Sequence, residues 1–343
     1  MALTERIRAV FGDPLLFMLV VGLSAFGVAM VYSAGQLDVP DPAVIGAWRR
    51  QLLWLGISIV ALAMVMRVQV KWFEWAAVPL YFIAIATLVL TLFIGTGAGT
   101  AQGVKSWIRL GGFSIQPSQF ANIATILMLG RIMGGWRETP QSLTALWKPI
   151  AVVVVPLLLV LAQPDLGTAM VFGAVLLATL YWAGTPAGVL FMLLSPILAL
   201  FLAIQSWMFS AYMLALIAFL WFYRVYLWEG TLVVAANLAA GTIALPLWNS
   251  LEPYQKARLQ VFLDPMVDPR GAGWNVIQSR VAIGSGGLLG KGFTEGTQKR
   301  LAFLPEQHTD FIFSVIGEEW GFVGTTAVLV TFGLILWRLV RIA

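Results

Sequence analysis

The sequence contains no cysteine and a single histidine, and only 11% of its 343 residues are charged. Without thiols the chain cannot perform cysteine catalysis or hold an iron–sulfur cluster or a thiolate metal site. One histidine excludes the zinc and haem sites that need several imidazoles. A hard divalent cation such as Mg²⁺ or Mn²⁺, bound by carboxylates, stays open. Soluble domains carry about 25% charged residues, so this composition argues against a soluble globular enzyme.

Apolar residues dominate instead, because 60% of the chain is hydrophobic and the mean hydropathy is +0.88. A membrane-spanning helix needs roughly 20 consecutive apolar residues. We therefore predict an all-α fold, a polytopic transmembrane bundle of about ten helices. The predicted helices cover residues 14–33, 50–67, 73–95, 117–135, 148–163, 165–184, 187–206, 209–227, 230–249 and 311–338.

The distribution of basic residues predicts how these helices are oriented. The first apolar run, 14–33, follows Arg6 and Arg8 and is longer than the core of a signal peptide, so we expect an uncleaved helix. With the N-terminus inside, lysine and arginine concentrate at the inner helix ends, and both termini are predicted to be cytoplasmic. The basic residues form no cluster, which excludes nucleic acid as a partner.

We expect a single integral membrane domain over residues 1–343, with two polar segments on its outer side. These segments are residues 95–117 and 251–310. Long ordered loops in compact proteins are commonly functional. The second loop also carries aromatic residues such as Trp274 and Phe293, so we predict that it folds against the helices.

Two Asp-Pro pairs in the second loop, at Asp264 and Asp268, are candidates for chemistry. Proline disfavours a helical conformation in the residue before it, so each carboxylate is held in extended or turn backbone. Such a carboxylate suits a general base or a ligand of a hard cation. The alternative is that Asp-Pro merely begins a turn.

A glycine-rich stretch, residues 284–292, resembles a phosphate-binding loop but departs from that pattern at Ser285 and Gly292. A plain cluster of turns is one interpretation. In the other, Lys291 and nearby backbone amides meet the phosphate of a substrate. We expect no nucleotide, because ATP is scarce on the outer face.

Several further polar residues lie within the predicted membrane helices or at their ends, where membrane proteins have few polar side chains. Glu318 and Glu319 fall within the last predicted helix, near mid-membrane, where a carboxylate costs roughly 2.5–3.5 kcal/mol, so at least one should face a polar partner. Asp165, at a helix break, and Asp310, before the last helix, are candidate caps. Glu306 and His308 alternate with Asp310 along the chain and are candidates for a shared polar cluster. Lys105 and Trp107 lie in the first outer segment, at the predicted interface between membrane and water.

Taken in order, these segments resemble the SEDS family (shape, elongation, division and sporulation proteins). The similarity covers most of residues 10–340, and residues 296–298 and 303–305 look more like its elongation member RodA than its division member FtsW. The family usually has Glu and Lys where this chain has Gln119 and Asn122. The matching motifs are 105–108 (KSWI), 116–118 (QPS), 163–168 (QPDLGT), 258–269, 278–279 (QS), 284–292 (GSGGLLGKG), 304–313 (LPEQHTDFIF) and 317–319 (GEE).

The resemblance implies a peptidoglycan glycosyltransferase of the bacterial cytoplasmic membrane that polymerises lipid II during elongation, beside a class B penicillin-binding protein and membrane lipids. Asp268 matches the family's essential loop aspartate, as base or metal ligand. We assign pyrophosphate binding to Lys105, Arg258 and Lys291 and packing on substrate to Trp107. The matched motifs add Gln278, Ser279, Glu306, His308 and Asp310 as substrate-binding residues, and Asp165, Glu318 and Glu319 as structural or coupling residues.

The rival hypothesis is transport, in which the chain flips the lipid-linked precursor across the bilayer. A flippase needs polar groups at several depths of the membrane, whereas a polymerase needs them at the outer face. This sequence concentrates its polar residues in the two outer segments. An inactive scaffold is a third interpretation.

Overall fold

A computed structural model shows a helical membrane protein. The candidate substrate-binding residue Arg258 lies outside the residues that the structure describes. Those residues are 12–38, 44–97, 105–110, 113–251, 256, 260–261, 264–271, 273–301, 304 and 306–342.

Ten long helices lie at the ten predicted places, so the predicted all-α membrane bundle is confirmed for the described residues. Seven of them are long and apolar enough to cross a membrane, counting the turn Thr144–Leu146 with the helix that follows it. The ten are α1 (Pro14–Ala34), α2 (Ala47–Val65), α3 (Val70–Ile94), α4 (Pro117–Gly134), α5 (Trp147–Leu161), α6 (Leu166–Trp182), α7 (Ala187–Leu202), α8 (Ser206–Tyr223), α9 (Leu227–Ser250) and α12 (Ile312–Ile342).

The second outer segment is ordered where it is described. It contains the 3-10 turn Pro265–Val267 and two short helices, α10 (Trp274–Ser285) and α11 (Thr297–Arg300). The departures from an all-helical fold among the described residues are a small antiparallel hairpin in the first segment and an isolated antiparallel bridge between Thr96 and Trp107. The strands of the hairpin are β1 (Ile108–Leu110) and β2 (Phe113–Ile115), in a register that pairs Ile108 with Ile115.

Residue contacts divide the chain into two compact units, and the prediction of a single domain stays a prediction. Unit 2, Gln69–Ser250, contains α3 to α9 and the hairpin. Its core is apolar and includes fully buried Leu88, Phe172 and Leu180. A buried polar contact joins α7, α8 and α9, because Asn237 on α9 donates to Ser195 Oγ on α7 at 2.8 Å while the Tyr212 hydroxyl lies 3.0 Å from Asn237 Oδ1.

Unit 1 consists of residues 1–68 and 251–343. Its described part is organised around the antiparallel pair α1 and α12, which polar contacts join at both ends. Arg338 donates to the Asp13 carboxylate at 2.5 Å, and Ser33 donates to Glu319 at 2.6 Å. Twenty helical residues rise about 30 Å. The two contacts are therefore separated by about the thickness of the hydrocarbon core.

The last helix differs from its prediction in one respect. α12 is interrupted at Gly321, where φ is 61° and ψ is −157°. Glu318 and Glu319 precede this break, and Glu319 lies beside Ser33 near the C-terminal end of α1. The expectation that the two glutamates sit near mid-membrane stays a prediction.

Candidate functional site

Asp268 lies in a short, rigid turn of the second outer segment. Asp264 has the extended backbone expected before proline, with φ of −142° and ψ of 102°. Asp268 has a similar φ of −138°, but its ψ of 74° lies outside the extended region. Asp264 Oδ1 accepts the Met266 amide at 2.9 Å, and Asp268 Oδ1 accepts the Gly271 amide at 3.0 Å. Asp268 remains half-buried whereas Asp264 is exposed. The sequence correctly predicted two preset carboxylates, and burial distinguishes them.

Helix α10 carries the next two candidates, Gln278 and Ser279, and packs against α12. The Ser279 hydroxyl lies 2.7 Å from the hydroxyl of Ser314, near the start of α12. Gln278 is half-buried on the same helix. Ser279 is therefore engaged in helix packing, while Gln278 keeps accessible surface for a ligand.

The glycine-rich loop, residues 286–292, fills the break in α12. A helix interrupted inside the membrane leaves backbone N–H and C=O groups that must be paired within the protein. The loop provides that pairing with its own backbone, so its glycines serve a structural role in this fold. The four hydrogen bonds run from Lys291 N to Glu318 O at 3.0 Å, from Gly292 N to Glu319 O at 3.0 Å, from Phe322 N to Gly287 O at 2.9 Å and from Val323 N to Leu288 O at 3.1 Å.

Glycine is required where this loop and the helix meet. Gly290 has φ of 82°, and a Cβ there would fall on the Glu319 carbonyl oxygen. Gly321 has φ of 61°, and a Cβ there would overlap the amide of Gly290. Both positions combine a left-handed backbone with a close approach, which only glycine satisfies at low cost.

Glu318 is almost completely buried and is bound from three directions through one oxygen. Its Oε1 accepts from Lys291 Nζ at 2.7 Å, from the Gln298 amide at 2.9 Å and from the Thr297 hydroxyl at 3.1 Å. Its Oε2 has no partner among the described residues. A Cβ at Gly296 would lie 2.7 Å from that oxygen, so the glycine leaves room beside it.

Glu319 takes a second, separate set of partners. Lys299, which is 1% exposed, forms a buried ion pair with it. Lys299 also donates to Ser33 at the end of α1, to the hydroxyl at 2.5 Å and to the carbonyl at 2.9 Å. Burial lowers the pKa of Lys299, and the carboxylate of Glu319 opposes that shift. The prediction that at least one glutamate meets a polar partner is confirmed for both.

The segment before α12 is attached to the same end of α1. Gln307 is buried and its amide donates to the carbonyls of Ala34 at 3.1 Å and Lys299 at 3.2 Å. His308 is half-buried, and its Nδ1 has no partner in the described structure.

The two carboxylates of this segment are both exposed. Glu306 has φ of 52°, and its carbonyl accepts the Thr309 amide at 3.1 Å. Asp310 lies two residues before the first residue of α12. Glu306, His308 and Asp310 thus follow one another in a compact turn with surface available to a ligand.

The remaining candidates, Lys105, Trp107 and Asp165, belong to unit 2. Lys105 is exposed, and its amide donates to the Gln163 carbonyl at 3.4 Å. Trp107 pairs by backbone with Thr96, through hydrogen bonds of 2.7 and 3.1 Å. The first outer segment is therefore held at both residues by backbone contacts, which leave the Lys105 side chain accessible.

Asp165 is the N-cap of α6, as one of the two sequence interpretations proposed. Its carboxylate accepts the Thr168 amide at 3.1 Å and the Thr168 hydroxyl at 2.9 Å. Gln116, directly before α4, donates to it at 3.1 Å. The side chain therefore both caps α6 and joins it to the start of α4.

Comparison with known proteins identifies the family. The family model for the cell cycle proteins FtsW, RodA and SpoVE matches residues 14–226 and 205–343. This chain belongs to that family. Relatives include a probable peptidoglycan glycosyltransferase FtsW of Trichlorobacter lovleyi, 36% identical over 96% of this chain and 76% of its own length. The peptidoglycan glycosyltransferase RodA of Treponema pallidum is 33% identical over 96% and 82%.

Solved structures support the same fold. A chain of a peptidoglycan synthase complex, described as coordinating polymerization and crosslinking, superposes with a TM-score of 0.60 at 28% identity and covers 94% of this chain and 76% of that one. RodA of Thermus thermophilus superposes with a TM-score of 0.53 at 23% identity, over 94% and 72%. This FtsW/RodA/SpoVE protein is therefore an integral membrane protein with the fold of its family.

Sequence reasoning missed three participants of this site: Ser33, Lys299 and Gln307. No local pattern marks Ser33 or Lys299, and Gln307 lies within the matched motif 304–313 without being distinguished from its neighbours there. The available signal was the buried Glu318-Glu319 pair, which requires a cation for each carboxylate. Only the fold shows that Lys291 and Lys299 supply them.

The Lys299–Glu319 pair yields a stability prediction. Lys299→Met should lower the free energy of unfolding by about 3–5 kcal/mol, because it leaves a carboxylate buried without its cation. Adding Glu319→Gln should recover much of that loss. Thermal unfolding of the purified protein in detergent measures both. Arg300→Gln is the matched control, since the exposed Arg300–Asp38 pair is worth about 1 kcal/mol or less. Equal losses for Lys299→Met and Arg300→Gln would contradict this account.

The glycine loop yields a second prediction. Gly290→Ala should destabilise the protein by about 1–3 kcal/mol, because the methyl group meets the Glu319 carbonyl in a left-handed backbone. Gly284→Ala, inside α10 with nothing within 4 Å, is the control and should be neutral or slightly stabilising. Thermal unfolding distinguishes the two, and a tolerated Gly290→Ala would show that the loop does not close on α12 in this way.

Proposed function

We propose that this FtsW/RodA/SpoVE protein is a peptidoglycan glycosyltransferase that polymerises lipid II, with Asp268 as the residue that accepts a proton. Family membership and the names of its relatives support the activity. The observation that carries the residue assignment is the turn at Asp268. Its backbone and one carboxylate oxygen are fixed by Pro269 and the Gly271 amide, while the side chain keeps accessible surface.

The chemistry needs little beyond one base. A lipid-linked sugar pyrophosphate already contains a good leaving group, so no nucleotide is required. Asp268 accepts the proton of the acceptor hydroxyl, whose oxygen forms a bond to the anomeric carbon of the donor. The bond from that carbon to the pyrophosphate oxygen breaks, and the lipid pyrophosphate leaves. One direct displacement converts an α-linked donor into a β-linked product.

The alternative that we propose for Asp268 is that it serves as the ligand of a divalent cation on the pyrophosphate in place of accepting the proton. Among the residues that the structure describes, no group of three or more histidine or acidic side chains could hold a metal. Mg²⁺ typically takes only one or two carboxylates and completes its shell with phosphate oxygens and water. A single aspartate therefore suffices for such a site, and the ion would arrive with the substrate.

The basic residues divide by accessibility. Lys105 is exposed and available for pyrophosphate charge, whereas Lys291 already neutralises Glu318. Lys291 remains 27% exposed, so it can contact a substrate phosphate while it keeps its carboxylate partner. We therefore keep both lysines as anion-binding candidates, with Arg258 as a third from the sequence and Trp107 packing on the lipid or sugar.

We assign the protein to elongation, beside a class B penicillin-binding protein, and place its loops on the outer face and its termini in the cytoplasm. The RodA-like residues 296–298 support elongation, and relatives of both names occur. The similarity to a chain of a synthase complex supports a cross-linking partner. Expression of this chain in a strain depleted of RodA, and in a strain depleted of FtsW, tests the assignment. Restored rod shape without restored division is expected, and the reverse would assign the chain to division.

The activity is tested with purified lipid II, with and without the class B partner. Wild type should produce long glycan strands, and Asp268→Asn should reduce the rate by at least about 100-fold, because general bases contribute about 10²–10⁴. Asp264→Asn, the exposed Asp-Pro twin, is the matched control and should retain activity. No product from a folded wild type, with transfer of lipid II across vesicle membranes, would favour the transport hypothesis.

The dual role of Lys291 is tested with its partner. If Lys291 binds pyrophosphate, Lys291→Met should raise KM for lipid II several-fold more than Glu318→Gln does. If it serves only Glu318, both variants should lose stability and activity alike, and the double variant should recover both. Steady-state kinetics together with thermal unfolding separates these results, because a purely structural effect does not move KM alone.

A further inference from the structure

A groove in unit 2 lies between α5, α7 and α9 and encloses a cavity of about 440 Å³. Pockets that hold small ligands measure about 300–1,000 Å³. The walls are almost entirely apolar. Representative lining residues are Trp147 and Ala151 on α5, Met192 and Pro196 on α7, and Leu232 and Ala236 on α9.

The groove lies along the N-terminal halves of α5 and α9 and the middle of α7. Its lining positions fall within the first ten residues of each: 147–154 in α5, 192–196 in α7 and 232–236 in α9. Ala151 and Leu232 are exposed, so the groove opens on the outside of the bundle. In a membrane protein that opening faces lipid, and an apolar chain is the solute that such walls accept.

A positive charge lies beside Trp147, one of the residues that line the groove. Trp147 is 63% exposed, and the ammonium of Lys148 lies 5.7 Å from the centre of its ring. Lys148 is exposed and forms no salt bridge among the described residues. Tryptophan and lysine side by side are typical of the headgroup level of a bilayer. The groove therefore extends from a cationic rim into an apolar interior.

An acidic side chain that binds the lining residue Thr144 is buried and does not face the surface. Glu229, in the first turn of α9, is 2% exposed. Its Oε1 accepts the Thr144 hydroxyl at 2.7 Å and the Thr144 amide at 3.2 Å. That carboxylate is oriented inward and occupied, whereas Lys148 faces outward.

We propose that this groove binds one phospholipid with an anionic headgroup. One acyl chain lies along the walls formed by α5, α7 and α9, and the phosphate contacts Lys148 beside Trp147. The charge complementarity of the rim distinguishes this site from ordinary lipid contact, because acyl chains alone would not require a cation there. The proposal rests on the groove alone and is independent of the proposed glycosyltransferase activity.

Native mass spectrometry of the full chain, titrated with phosphatidylglycerol or phosphatidylcholine, tests it. Wild type should bind phosphatidylglycerol more tightly than phosphatidylcholine. Lys148→Gln should weaken the binding of phosphatidylglycerol about fivefold and leave the binding of phosphatidylcholine unchanged. Lys71→Gln is the matched control. Lys71 lies 5.8 Å from the Trp72 ring at the start of α3, outside this groove, so its loss should change neither affinity.

The acyl-chain part of the site is tested by filling it. Ala151→Trp, at an exposed lining position, should weaken the binding of both lipids. Ala236→Phe provides a second variant in case thermal unfolding shows that Ala151→Trp does not fold. Equal effects of Lys148→Gln and Lys71→Gln would overturn the anionic headgroup. Unchanged binding in both filled variants would overturn the groove. A dimer that Ala151→Trp dissociates would assign the groove to a second copy of the chain.

Discussion

The described part of unit 1 depends on one constraint, namely that a helix broken inside a membrane must have its backbone groups and charges paired by the protein itself. α12 breaks at Gly321 directly after two buried glutamates. The preceding loop satisfies both needs at once. The backbone of residues 286–292 pairs with the broken helix. Lys291 and Lys299, in the same outer segment, neutralise Glu318 and Glu319.

The C-terminal end of α1 receives the rest of the loop. Ser33 contacts both members of the Lys299–Glu319 pair, and the Ala34 carbonyl accepts from Gln307. These contacts fix the segment that continues to His308 and Asp310. Candidate substrate-binding residues thus project from a loop whose base is buried and charged, so their positions follow from the packing of α1 against α12. A site held on such a base needs little reorganisation when a substrate binds.

The proposed chemistry is consistent with this division of roles. Buried charges in the loop are used for structure, whereas half-buried Asp268 and exposed Lys105 stay accessible to a ligand. The glycine-rich stretch shows the same division. It resembled a phosphate loop in sequence, yet in the fold most of its backbone hydrogen bonds go to α12. Its proposed contribution to substrate binding comes from the Lys291 side chain.

The sequence by itself determined the ten long helices and the extended conformation at Asp264, and it offered the cap at Asp165 as one of two interpretations. The physical reason is that apolar run length, proline stereochemistry and helix capping act within a few residues. The tertiary structure alone decided the break at Gly321, the function of the glycine-rich loop and the pairing of Lys299 with Glu319 and Ser33. Those features join residues up to 286 positions apart, and no local pattern specifies which cation a buried carboxylate will meet.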